Sequence, residues 1–103
     1  MKKLILFTVC LFAGCELISY APPPPVTSQM AKLGAKQHVD LATLREGRTL
    51  FVSRCIECHT LPAFWHYREN DWPEIVDSMS HRANLKRTER DAVLAYIFAA
   101  RQQ

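Results

Sequence analysis

Cys55-Ile56-Glu57-Cys58-His59 is the stretch on which the reading of this chain turns. Two thiols sit three positions apart, and an imidazole directly follows the second. The chain has only four cysteines, so this spacing uses half of them. C-x-x-C-H is a haem-attachment motif. Each thiol can form a thioether to a haem vinyl group, and the imidazole can ligate the iron. The motif predicts one covalently bound haem c, held by Cys55 and Cys58, with His59 as the proximal axial ligand. Two rival chemistries fit less well. A structural zinc site needs four ligands, so Cys55, Cys58 and His59 would have to recruit His38, His66 or His81, and no second C-x-x-C exists. A thioredoxin-like redox pair wants a βαβ setting, and the flanking pattern is helical.

The flanks set the fold class. Three segments carry a cap residue followed three positions later by an acidic one, the sign of a capping box. Thr43 with Glu46 is expected to open a first helix, with Leu44, Gly47, Leu50 and Phe51 on or near one face. Asp71 with Glu74 is expected to open a second, with Pro73 tolerated in the first turn. Its apolar residues Trp72, Ile75, Val76 and Met79 recur at helical spacing. Thr88 with Asp91 is expected to open a third, lined by Val93, Leu94, Ile97 and Phe98 with Tyr96 at the flank. The expectation is an all-α domain of about three main helices around one haem, with a loop over residues 60–70. No strand alternation, glycine-rich phosphate loop or internal repeat appears in the sequence.

The stretch from Glu46 to His59 resembles the start of class I c-type cytochromes, whose entry helix has a glycine and an aromatic just before the haem motif. Leu94-Ala95-Tyr96-Ile97 resembles their closing helix, which packs an aromatic against that glycine. The resemblance implies a single-electron carrier rather than an enzyme, alone or as the electron-transfer subunit of a redox complex. It also implies a contact between Gly47 and Tyr96. In that family a proline-bearing loop supplies a carbonyl to the proximal imidazole, which points to Pro62. Trp72 to Met79 resembles small cytochromes whose ligand methionine follows a Trp-led helix, which makes Met79 the first candidate for the sixth iron ligand. A thioether is a soft, neutral donor suited to electron transfer. A core methionine at helical spacing is the plain alternative for Met79. His81 or His66 would then ligate, or the position would stay open, as in a haem-based ligand binder or sensor.

The N-terminal third reads differently. Met1-Lys2-Lys3 and the apolar run from Leu4 to Ala13 describe a secretory leader, too short to span a bilayer, which needs about 20 residues. Leu11-Phe12-Ala13-Gly14-Cys15 resembles the bacterial lipobox, implying lipidation of Cys15. Multiple acyl chains would anchor the chain stably. Glu16 is not the aspartate that the resemblance links with inner-membrane retention, a lean toward the outer membrane. Pro22 to Pro25 favour an extended, semi-rigid spacer, and residues 29–39 show little pattern. The expected organisation is a leader at 1–14, a lipid-anchored proline-rich tether at 15–39 and a haem domain at 40–103, exported to the bacterial periplasm. A domain of about 60 residues is marginal on side chains alone, and a porphyrin would enlarge its apolar centre.

The chain has 103 residues and a formal charge of +3, which falls to about +1 without Lys2 and Lys3. A nucleic-acid partner is not indicated, because no strong basic excess is present. Redox proteins, a donor and an acceptor, are the expected partners, with a membrane reached through the lipid. Arg82, Lys86, Arg87 and Arg90 form a basic cluster after Met79. It is either a solvated face, a docking patch or a set of counter-ions for haem propionates.

Overall fold

Four α-helices organise the computed structural model, which describes residues 23–55 and 64–102. They are α1 (Ser28–Lys36), α2 (Leu41–Ser53), α3 (Trp72–Ala83) and α4 (Arg87–Arg101). No strand occurs among the described residues, so the all-α expectation holds. Short 3-10 turns at Phe64–His66 and Glu69–Asp71 break up the expected loop before α3. No helix among the described residues is long and apolar enough to cross a membrane.

The helices start where backbone N–H groups find acceptors, and these differ from the expected boxes. Asp40, not Thr43, caps α2: its carboxylate accepts the Thr43 N–H at 2.8 Å, and this holds the carboxyl below its ordinary pKa. Asp71 precedes α3 as expected, yet its side chain does not cap that helix. It turns back to the Arg68 N–H at 3.3 Å and to the Arg68 guanidinium at 3.1 Å. α4 begins two residues before the Thr88 box would allow, with the Glu89 carboxylate accepting the Lys86 N–H at 2.9 Å. At α2 the extended Asp40 takes the cap from Thr43, whereas α3 and α4 start without a side-chain cap from Asp71 or Lys86. α3 stops at Asn84, whose φ of 54° is left-handed, and the Leu85 N–H returns to the Ser80 carbonyl at 3.0 Å.

α2 and α4 cross at Gly47. A Cβ there would lie 2.0 Å from the Ala92 carbonyl oxygen and 2.9 Å from the Tyr96 Cβ. Only a hydrogen fits, so the two backbones touch and Tyr96 is wholly buried beside them. The contact implied by the resemblance is therefore present. Leu44, Phe51, Trp72, Val76, Val93, Tyr96 and Ile97 form the centre of the core. Phe64 fills the space between three rings, 5.4 Å from Phe51, 5.8 Å from Tyr96 and 6.1 Å from Trp72. Such tilted and edge-on pairs suit the ring quadrupoles.

Residues 29–39, expected as linker, are mostly helix α1. Thr27 caps it by accepting the Met30 N–H at 3.2 Å, and Met30 enters the core with no exposed surface. The prolines ahead of it are also fastened. The Pro24 carbonyl accepts the Tyr96 hydroxyl at 2.5 Å and the Arg48 Nε at 3.0 Å, and the Pro23 carbonyl accepts the Arg48 guanidinium at 3.2 Å. Pro23 and Pro24 lie outside any helix or strand, so their carbonyls are available to side chains. From Pro23 to Val39 the chain is thus a strap across α2 and α4.

Candidate functional site

α2 delivers the motif. Arg54 ends the helix with its N–H on the Leu50 carbonyl at 2.8 Å, and Cys55 follows directly. Cys55 is buried, in the same apolar cluster as Phe51, Phe64 and Trp72. The Arg54 guanidinium reaches the Ala83 carbonyl at 2.8 Å, tying the end of α3 to the end of α2. Cys58, His59 and Pro62 lie outside the described residues, as do Cys15 and the whole of the expected leader.

α3 carries Met79. Trp72, Val76 and Ser80 are its buried residues, and Met79 is half-buried beside them. The α3 members of the central cluster among the described residues are Trp72 and Val76, with Ile75 packed against it, and Met79 stands outside both sets. His81, two positions on, is exposed. His66 is exposed in the turn after the motif, with its ring edge-on to Tyr67 at 4.9 Å. His38 is exposed at the corner between α1 and α2, with a φ of 59°. No group of three or more His, Cys, Asp or Glu side chains fit to hold a metal ion occurs among the described residues.

Of the expected donors, Cys55 and Met79 are described, and their chemistry is compatible with a covalently held haem. A buried thiol at a helix end suits a permanent thioether in apolar surroundings, and a half-buried thioether off the core suits a soft ligand. The rings of Phe51, Phe64, Trp72 and Tyr96 give the neighbourhood a low polarity. Burial pushes the Tyr96 hydroxyl up to about 12, while the nearby Arg48 charge opposes the rise.

Two sets of residues escaped the sequence reading. Thr27, Met30, Leu33 and Gly34 carry a cap and a helical apolar spacing that would have revealed α1. Arg101, at the end of α4, gave no signal. Its guanidinium donates to the Tyr67 carbonyl at 2.7 Å and also to the Phe64 carbonyl, the acceptor that the Trp72 Nε1 shares at 3.3 Å.

The chain is similar to the cytochrome c-type protein TorY of Haemophilus influenzae, with 35% identity over 63 residues, 60% of the chain. It spans 17% of that relative's length. No protein-family profile matches the chain. No solved structure matches it either.

Proposed function

We propose that this chain is a monohaem c-type cytochrome that carries single electrons at a bacterial membrane surface. The observation that supports it most is Cys55, first of the C-x-x-C-H residues, held buried at the end of a helix that Gly47 locks against α4. The similarity to a protein named as a c-type cytochrome points the same way. Cys55 and Cys58 would hold the porphyrin, with His59 and Met79 on its two faces. The bound haem would supply a one-electron couple. The protein's part is to attach it, fix the axial donors, exclude water and keep one edge accessible. Export, lipidation of Cys15 and attachment to a membrane belong to the same proposal, as do a redox donor and acceptor.

The optical spectrum of the mature protein tests this reading. Six-coordinate low-spin iron is expected, with a sulfur-to-iron charge-transfer band when oxidised and slow carbon monoxide uptake when reduced. Met79→Ala should abolish the charge-transfer band and admit carbon monoxide. High-spin iron that binds carbon monoxide readily in the wild type would make the chain a ligand binder or sensor. Protein matured with the haem-attachment machinery yet carrying no covalent haem would overturn the proposal. A mass measurement of the mature N-terminus decides whether Cys15 carries lipid.

A further inference from the structure

The helix that carries Met79 is held at its far end by the residue that precedes Cys55. Ala83 is the last residue of α3, with Asn84 as its C-cap. The Ser80 carbonyl accepts both the Asn84 N–H and the Leu85 N–H, the latter at 3.0 Å. The last carbonyls of a helix lack partners within it, and that of Ala83 is taken by the Arg54 guanidinium at 2.8 Å, across 29 residues. A guanidinium is always charged and rigidly planar, so this bond is charge-assisted and directional. A cation at a helix C-terminus also meets the negative end of the helix dipole. None of the ion pairs among the described residues involves Arg54. The rest of α3 is secured nearer its start: Trp72 and Val76 are buried in the core, and Asp77 pairs with Arg90 of α4 at 3.0 Å. Past Asp77, the buried Ser80 spends its hydroxyl inside the helix, on the Val76 carbonyl at 2.6 Å. Among the described residues, the Arg54 bond is therefore the hydrogen bond that joins the last turn of α3 to another element. Met79 lies one helical turn before Ala83, and Cys55 directly follows Arg54.

We propose that Arg54 is a positioning residue for the sixth iron ligand: by tying the last turn of α3 to the end of α2, it fixes Met79 relative to Cys55, the first point of haem attachment. A turn fixed in advance loses less freedom when its side chain binds, so Met79 competes better against an incoming donor. This rests on the proposed haem function and on Met79 as the sixth ligand, but the grip on Ala83 can be tested without either.

The test compares the mature protein with Arg54→Leu and Arg54→Lys and with two controls. Arg45→Leu removes the same charge from an exposed position of α2, and Met30→Ala is a core change on α1 that reports general loss of stability. Added imidazole is the probe, because it displaces the sixth ligand of the oxidised iron. It is titrated in the visible spectrum well below the unfolding temperature. Arg54→Leu should carry haem at the wild-type ratio yet bind imidazole about fivefold more tightly. Arg54→Lys keeps the charge without the planar fork and should fall between the two. Both controls should match the wild type. Amide hydrogen exchange supplies the second readout, with faster exchange over residues 80–85 in Arg54→Leu and in neither control. Wild-type imidazole affinity in Arg54→Leu would overturn the proposal, and so would an equal gain in either control. A Met79→Ala protein that keeps the charge-transfer band would remove Met79 as the ligand, and this role of Arg54 with it. Should the wild type carry no haem, the proposed function itself fails. Exchange over 80–85 then separately decides whether Arg54 holds the end of α3.

Discussion

At Gly47 the absence of one methyl group determines how two helices meet. Its place could be inferred from a glycine four residues before an aromatic, but the consequence is geometric. A methyl 2.0 Å from the Ala92 carbonyl oxygen must push backbone, not a flexible side-chain tip. Gly47→Ala should therefore cost about 3 kcal/mol or more, the upper range for overpacking, despite alanine's better helix propensity. Urea unfolding would detect this, and a loss under about 0.5 kcal/mol would contradict the contact, since surface changes fall in that range. Tyr96, on the other side of the crossing, allows a pH test. Its folded pKa lies at about 12 against an ordinary 10.0, so the buried phenol favours folding while protonated. That contribution is complete below the ordinary value and is lost as pH rises through the folded one, a change of about 2–3 kcal/mol. Wild type should be more stable than Tyr96→Phe near neutrality by about 1 kcal/mol, the worth of the hydroxyl's bond to Pro24. The gap should close and reverse as the solution becomes strongly alkaline. Parallel stability curves for the two proteins would rule out a phenol buried in this way.

Elements packed along their length on one another were legible, and elements held by distant partners were not. α2, α3 and α4 follow from apolar residues at helical spacing, because each lays a continuous stripe on the core. The α2 cap was misplaced by three residues, since Asp40 and Thr43 are similar cap formers, and the α4 start by two, since Lys86 is not a residue type that marks a cap. The prolines before α1 depend on Arg48 and Tyr96, 24 and 72 residues from Pro24 along the chain. No local pattern records such pairings. The neighbourhood of the motif divides in the same way: the motif declared Cys55, while the Arg101 bonds to the Phe64 and Tyr67 carbonyls reach across 37 and 34 residues. The strap also changes what a minimal domain must contain. A chain beginning at residue 40 would lose the fully buried Met30 and uncover Leu44 and Tyr96. Met30→Ala alone should cost about 2–5 kcal/mol by the usual scale for buried large-to-small changes, and deleting residues 23–39 should cost more. Thermal unfolding of the two variants beside the full chain checks both. A truncated domain that melts with the full chain would show the strap to be dispensable.

Over the whole molecule, charge is unevenly spent. Glu69, Asp71, Glu74 and Asp77 lie on or before the first half of α3, whereas His81, Arg82, Lys86 and Arg87 lie around its end. The acids nearest the basic end are already engaged. Asp77 pairs with the Arg90 Nε at 3.0 Å, Asp91 with its other arm at 3.2 Å, and Glu89 holds the Lys86 N–H. Arg82, Lys86 and Arg87 are exposed with no ion pair among the described residues, and Arg82 stands one helical turn beyond Met79. A surface of this kind acts on encounter more than on affinity, by drawing anionic reagents toward the adjoining face. Reduction of the mature protein by an anionic cyanide complex of ferrous iron should therefore be fast at low ionic strength. It should slow as salt approaches physiological strength, where screening acts over about 8 Å. Replacing Arg82, Lys86 and Arg87 together with glutamine should lower that rate about tenfold at low salt and flatten its salt dependence. The rate with a neutral reductant should stay the same, because the substitutions leave the core and both candidate ligands untouched. A salt-independent rate in the wild type, or equal losses with the neutral reagent, would mean that electrons exchange at another face of the molecule.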